Sequence, residues 1–104
     1  MERVAFTMKL KPGFEEDYKK RHDEIWPELQ DLLKSKGIHE YSIFLDRNTL
    51  VLFGFLKISN RQLLDELPKE AVMKRWWTYM KDLMDTNDDH SPVSVRLEEV
   101  FYLP

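Results

Sequence analysis

The chain has no cysteine, and among its 104 residues only three are glycine and five proline. Without thiols there is no disulfide framework, no thiol nucleophile and no thiolate metal ligand, a composition that suits a reducing compartment. Gly13, Gly37 and Gly54 are too dispersed to form a phosphate-cradling loop. No stretch approaches the roughly 18 consecutive apolar residues that cross a bilayer. The alternating start, Met1 to Leu10, has no continuous apolar segment of the kind found in a secretory leader. There is no basic excess either: 16 Lys and Arg against 19 Asp and Glu leave a net charge of -3. That sign disfavours nonspecific binding to phosphate backbones. The absences together predict a small cytoplasmic protein with neither a nucleic-acid nor a membrane partner. His22, His39 and His90 occur singly, with no helical His-x-x-x-His pair, so no metal site is expected. Asp88-Asp89-His90 reads as a solvated loop.

What the chain does have is aromatic surface: three Trp, four Tyr and six Phe. Its length suits a single domain over residues 1–104 with one core. Val4, Phe6, Met8 and Leu10 alternate as one face of a strand, which Pro12 and Gly13 end. From Phe14 the period changes, and Phe14, Tyr18, His22 and Ile25 fall within about 80° of a helical wheel. Glu15/Lys19, Glu16/Lys20 and Asp17/Arg21 are spaced to pair acid-first along the exposed face. Pro27 predicts a kink or restart near Trp26, after which Leu29, Leu32 and Leu33 carry the apolar face to Gly37. Ile38–Asp46 and Leu50–Ile58 flank Arg47-Asn48-Thr49 as a hairpin.

Asn60 is placed to cap a second helix, which Pro68 interrupts and restarts as its first residue. Met73, Trp76, Trp77, Met80, Leu83 and Met84 give that helix a broad apolar face. The polar stretch from Asp85 to Pro92 forms a loop, and alternation from Val93 to Leu103 predicts a final strand. The order β-α-β-β-α-β predicts an α+β, ferredoxin-like sandwich with one face of its sheet uncovered. Aromatics such as Phe53 and Phe55, or Tyr41, fall on that face. A homodimer packed sheet on sheet, a dimeric α+β barrel, is therefore expected.

Two constellations carry candidate chemistry. Tyr18 and His22 lie one helical turn apart on the apolar side, where a histidine can exchange a proton near neutral pH while a tyrosine orients a substrate. The same spacing also fits a tyrosine and a histidine at the edge of a core. Trp76 and Trp77 point about 100° apart on their helix, which lets one enter the core while the other walls a cavity. Indole planes pack on the C–H faces of sugars, so the pair favours an uncharged ligand with an apolar face. An RNA-recognition motif shares the element order, and Phe53-Gly54-Phe55-Leu56 resembles the middle of its aromatic signature. Val51, Leu52 and Ile58 stand where that signature needs a basic residue, a glycine and an aromatic.

Three segments then resemble the L-rhamnose mutarotase family. They are Arg21-His22-Asp23-Glu24-Ile25-Trp26-Pro27-Glu28-Leu29, Arg75-Trp76-Trp77-Thr78-Tyr79-Met80 and Glu99-Val100-Phe101-Tyr102-Leu103-Pro104. Ser91-Pro92-Val93-Ser94 fits as well, so the likeness covers nearly the whole chain. The resemblance implies a cofactor-free isomerase that interconverts the α and β anomers of L-rhamnose, built as a homodimer of ferredoxin-like protomers. It implies His22 as proton donor and Tyr18, Tyr41, Trp76 and Trp77 as substrate contacts. Tyr41 is supplied by the resemblance alone.

One loop departs from the family pattern. Where the family tends to read Asn-Pro-Asp-Asn-Ser-Pro, this chain has Asn87-Asp88-Asp89-His90-Ser91-Pro92. Loss of the proline loosens the loop, and His90 adds a second titratable group. Two other functions stay open on the sequence: a sugar-binding module without turnover, and a cofactor-free monooxygenase of the dimeric α+β barrel type.

Overall fold

The computed structural model describes residues Met1 to Pro104. Strand β1 (Glu2–Lys9) buries Val4 and Met8 on one face, as its alternation predicts. The first helical stretch divides in two: α1 (Glu15–Asp23) and α2 (Pro27–Ser35). Proline at the first position of α2 has no N–H to donate back into α1, and Trp26 before it is extended, with ψ 132°. The predicted kink is thus a full restart. Gly37 follows at φ 83°, the left-handed conformation that suits a helix end.

Strands β2 (Ile38–Asp46) and β3 (Val51–Ile58) form the expected hairpin. The sheet order is β2-β3-β1-β4, antiparallel throughout, with β4 (Val95–Leu97) on the edge beside β1. The helices cover one side of it. Leu10, Leu29, Leu52, Ile58, Met80 and Leu83 are the most deeply buried side chains of the core. No helix is long and apolar enough to cross a membrane.

The structure corrects four expectations. The acid-first pairs along α1 do not close. Lys19 binds Asp23 at 2.8 Å, Glu16 reaches Arg47 at 3.3 Å, and Arg21 leaves its own helix for Asp82 at 3.1 Å. Lys19 thus keeps a partner on its own helix in the reverse order, while Glu16 and Arg21 take partners outside it. Exposed pairs gain too little to enforce one pairing.

Asn60 does cap, accepting the Gln62 N–H at 3.0 Å, but it opens a 3₁₀ segment, Arg61–Lys69. Pro68 sits inside that segment rather than at the start of α3 (Ala71–Met80). The Glu70 N–H turns back to the Leu67 carbonyl at 3.0 Å, and extended Glu70 separates the two.

The last strand is three residues long rather than running from Val93 to Leu103. Its register would set Glu99 opposite Arg3, and the two meet through side chains at 2.7 Å instead of through the backbone. Arg3 also lies 3.4 Å over the Tyr102 ring. Val100, Phe101 and Leu103 are 90%, 78% and 77% exposed, so the apolar alternation has nothing to face within one chain.

Finally, the uncovered face carries Phe44, Phe53, Val95 and Leu97, but not Tyr41. Tyr41 shares the helix side with Ile43 and Leu45, and the register shift between His39 and Ser42, with Glu40 at φ 49°, brings Ile38 to that side as well. There the Tyr41 ring meets the edge of Phe6 at 6.1 Å.

Candidate active site

Between the sheet and the helices lies a cavity of about 1060 Å³. Tyr18 and His22 enter it from α1, Trp76 and Trp77 from α3, and Phe6 and Tyr41 from the sheet. The five residues singled out in the sequence therefore share one space. Phe6 joins them as a wall, from the strand face that it shares with Val4 and Met8.

Tyr18 is buried, and its ring lies 4.3 Å from the His22 imidazole at a 30° tilt. His22 Nδ1 is 3.0 Å from the Tyr18 carbonyl oxygen, one turn back along α1. A carbonyl can only accept, so Nδ1 carries the hydrogen and donates it. Nε2 is left as the nitrogen that exchanges protons. The edge of Trp76 meets the imidazole at 5.4 Å, perpendicular to it.

Burial holds His22 below the ordinary histidine range, against the opposing pull of its Tyr18 hydrogen bond and the Asp23 charge. Burial raises the Tyr18 phenol, with a further contribution from Tyr41 nearby. Tyr41 as a residue is 38% exposed, yet burial of its phenol pushes it up to about 12 as well. Near neutral pH these residues present a neutral imidazole and two neutral hydroxyl donors among aromatic walls, with charged side chains such as Lys19, Asp23 and Arg96 elsewhere on the lining. That inventory suits an uncharged polyol with an apolar face.

The tryptophans divide less simply than their spacing predicts. Trp76 is buried and Trp77 half-buried, yet both line the cavity. Trp76 also sits in an aromatic cluster with Trp26 at 5.1 Å and Tyr79 at 5.7 Å. The sequence reading assigned neither of these neighbours a role. Their signal was their place inside the Trp26-Pro27 and Trp77-Thr78-Tyr79 runs.

The floor depends on Gly54. A Cβ there would come within 2.4 Å of the Phe6 ring, so the missing side chain is what lets that ring lie close over the sheet. His90 does not line the cavity; its Nδ1 is 3.2 Å from Thr78 Oγ1 on α3, and its φ is 70°.

A family model described as L-rhamnose mutarotase matches residues 3–103. A Brucella anthropi protein named L-rhamnose mutarotase is 53% identical, over 99% of this chain and 97% of its own length. The crystal structure of L-rhamnose mutarotase from Formosa agariphila aligns along the full length of both chains, with 50% identity and a TM-score of 0.94. A crystal structure titled antibiotic biosynthesis monooxygenase is 15% identical at a TM-score of 0.52, a likeness of fold alone.

Proposed function

This chain belongs to the L-rhamnose mutarotase family, and from that membership we infer that it interconverts the α and β anomers of L-rhamnose. The observation that carries the reading is His22: Nδ1 committed to the backbone, Nε2 free, in a cavity walled by phenols and indoles.

Anomers interconvert when the C1–O5 bond of the ring breaks, C1–C2 rotates, and the bond re-forms on the other face of C1. Opening removes a proton from the anomeric hydroxyl and delivers one to O5. Neutral His22 takes the first proton at Nε2, and the imidazolium so formed is the acid that protonates O5 as the bond breaks. Closure reverses both transfers, so protons balance and nothing is oxidised or reduced. The chemistry needs no cofactor. Tyr18 and Tyr41 hold sugar hydroxyls, while Trp76 and Trp77 pack against the C–H face and the methyl group.

The working unit is a homodimer, a reading supported by the apolar uncovered face and the exposed Val100, Phe101 and Leu103. The 104 residues act as one catalytic domain in the cytoplasm, with a sugar rather than nucleic acid or membrane as partner.

Saturation-transfer NMR of the L-rhamnose anomers tests the reading. The native protein should accelerate exchange, and His22→Ala should lose about two to four orders of magnitude. An unchanged rate in His22→Ala would remove His22 from the mechanism. Binding of rhamnose without faster exchange would identify a sugar-binding module. Oxygen uptake with a quinol, and no effect on sugars, would point to a monooxygenase.

A further inference from the structure

Helix α1 carries Tyr18 and His22, yet Tyr18 is its one buried residue. Phe14 and Ile25 at its two flanks pack only partly buried against the core, so between them apolar packing holds the helix by Tyr18 alone. A polar tether is added by Arg21, the residue beside His22. Its Nη1 donates to the Tyr79 carbonyl at 2.6 Å and to Asp82 Oδ1 at 3.1 Å. Nη2 donates to Asp82 Oδ2 at 3.4 Å, and the guanidinium lies 4.5 Å from the centre of the Tyr79 ring.

The Tyr79 carbonyl belongs to the last turn of α3, where carbonyls lack helical donors and the helix end favours a cation. One guanidinium therefore ties the helix that bears His22 to the helix that bears Trp76 and Trp77. A second path closes the loop: Tyr79 packs on Trp76 at 5.7 Å, and Trp76 meets His22 at 5.4 Å.

We propose that Arg21 is a positioning residue: its fork on Tyr79 and Asp82 sets the distance between His22 and the indole walls without touching the sugar. The proposal rests on the reading of His22 as the proton-exchanging group. Only a planar guanidinium fits all three acceptors and the ring face at once; a lysine ammonium can satisfy one or two. The charges around the clamp are Asp17 and Asp23 on α1, with Asp82 and Lys11 opposite. A half-exposed ion pair adds little to global stability, so loss of the clamp registers in turnover before it registers in melting.

Arg21→Met, Arg21→Lys and Asp82→Asn test this by saturation-transfer NMR at limiting and saturating rhamnose. Displacing a catalytic group by about 1 Å costs up to about a hundredfold. Arg21→Met is therefore expected to lose about ten- to a hundredfold in kcat, with KM nearly unchanged. Arg21→Lys should recover part of that loss, and Asp82→Asn should lose less, because the bond to the Tyr79 carbonyl survives.

A second readout is the NMR titration of the His22 ring. Its midpoint should rise toward the ordinary histidine value in both Arg21 variants, since a loosened helix admits water. The lysine variant keeps the charge, so its rise reports movement. Arg61→Met, which breaks the remote Arg61–Glu2 pair at 2.9 Å, should leave kcat and the His22 titration as they are.

Native kcat and an unmoved His22 titration in folded Arg21→Met would overturn the proposal. If that variant does not fold, the same two results in Arg21→Lys and Asp82→Asn overturn it. A native protein that fails to accelerate exchange, or a fully active His22→Ala, would instead refute the underlying reading.

Discussion

A single backbone hydrogen bond decides which nitrogen of the His22 ring is left free for the chemistry proposed. The Tyr18 carbonyl fixes Nδ1–H, and burial favours the neutral ring. The exchange rate should accordingly stay level through neutrality and fall on acidification, with a midpoint below the ordinary histidine value of about 6.5. A pH–rate profile of kcat/KM checks this. The same lowered pKa links to folding. The unfolded chain binds the His22 proton at about 6.5 while the native chain resists it. The neutral ring's contribution to stability is therefore complete above that pH and is lost as pH falls toward the lowered native value. Denaturation across that range should slope less steeply in His22→Ala. Gly54 gives a second test at this scale. Gly54→Ala should drive the Phe6 ring into the cavity, raising KM several-fold with a smaller effect on kcat, and Gly54→Ala/Phe6→Leu should recover much of the loss. Tyr18 and His22 were legible because helical spacing brings residues four apart onto one face. Tyr41 was not, because apolar residues occupy both parities of β2: Tyr41, Ile43 and Leu45 face the helices, but so does Ile38 across the register shift at His39/Ser42, where Glu40 is left-handed.

Among the elements, the hairpin and the split first helix followed from local signals: β-branched and aromatic runs around a turn, and a proline at the head of α2. Leu29, 1% exposed on α2, packs in the same core cluster as Tyr18 and Trp76. Leu29→Ala should cost about 2–5 kcal/mol in chemical denaturation, as buried leucine truncations do. The Arg61–Lys69 segment escaped reading because 3₁₀ and α turns share the same caps and nearly the same apolar spacing. The final strand was overread for the opposite reason. Alternation records which side chains are apolar, whereas a strand also needs a neighbour with free backbone groups. The register pairs only Ala5 to Thr7 with Leu97 to Val95; beyond it the chain leaves the free edge of β1, and Glu99 meets Arg3 through side chains.

At the scale of the whole molecule, the uncovered sheet face dominates. Phe44 is 65% and Val95 60% exposed, a patch too apolar to stand as ordinary surface. Light scattering at micromolar concentration should return twice the mass of one chain, and Phe44→Asp/Val95→Asp should return the single mass. A monomeric native protein would leave that patch unexplained. The composition identified a small aromatic-rich domain, but the division of its aromatics between core, cavity and outer face depended on the register of β2 and the shortness of β4. Strand β4 is also a partition one residue thick. Val95 and Leu97 face outward, while Arg96 between them lines the cavity beside Phe6. A second copy pressed on the outside would stiffen the wall felt from the inside. Association and sugar affinity would then be one linked equilibrium: the factor by which dilution weakens rhamnose binding must equal the factor by which rhamnose strengthens pairing.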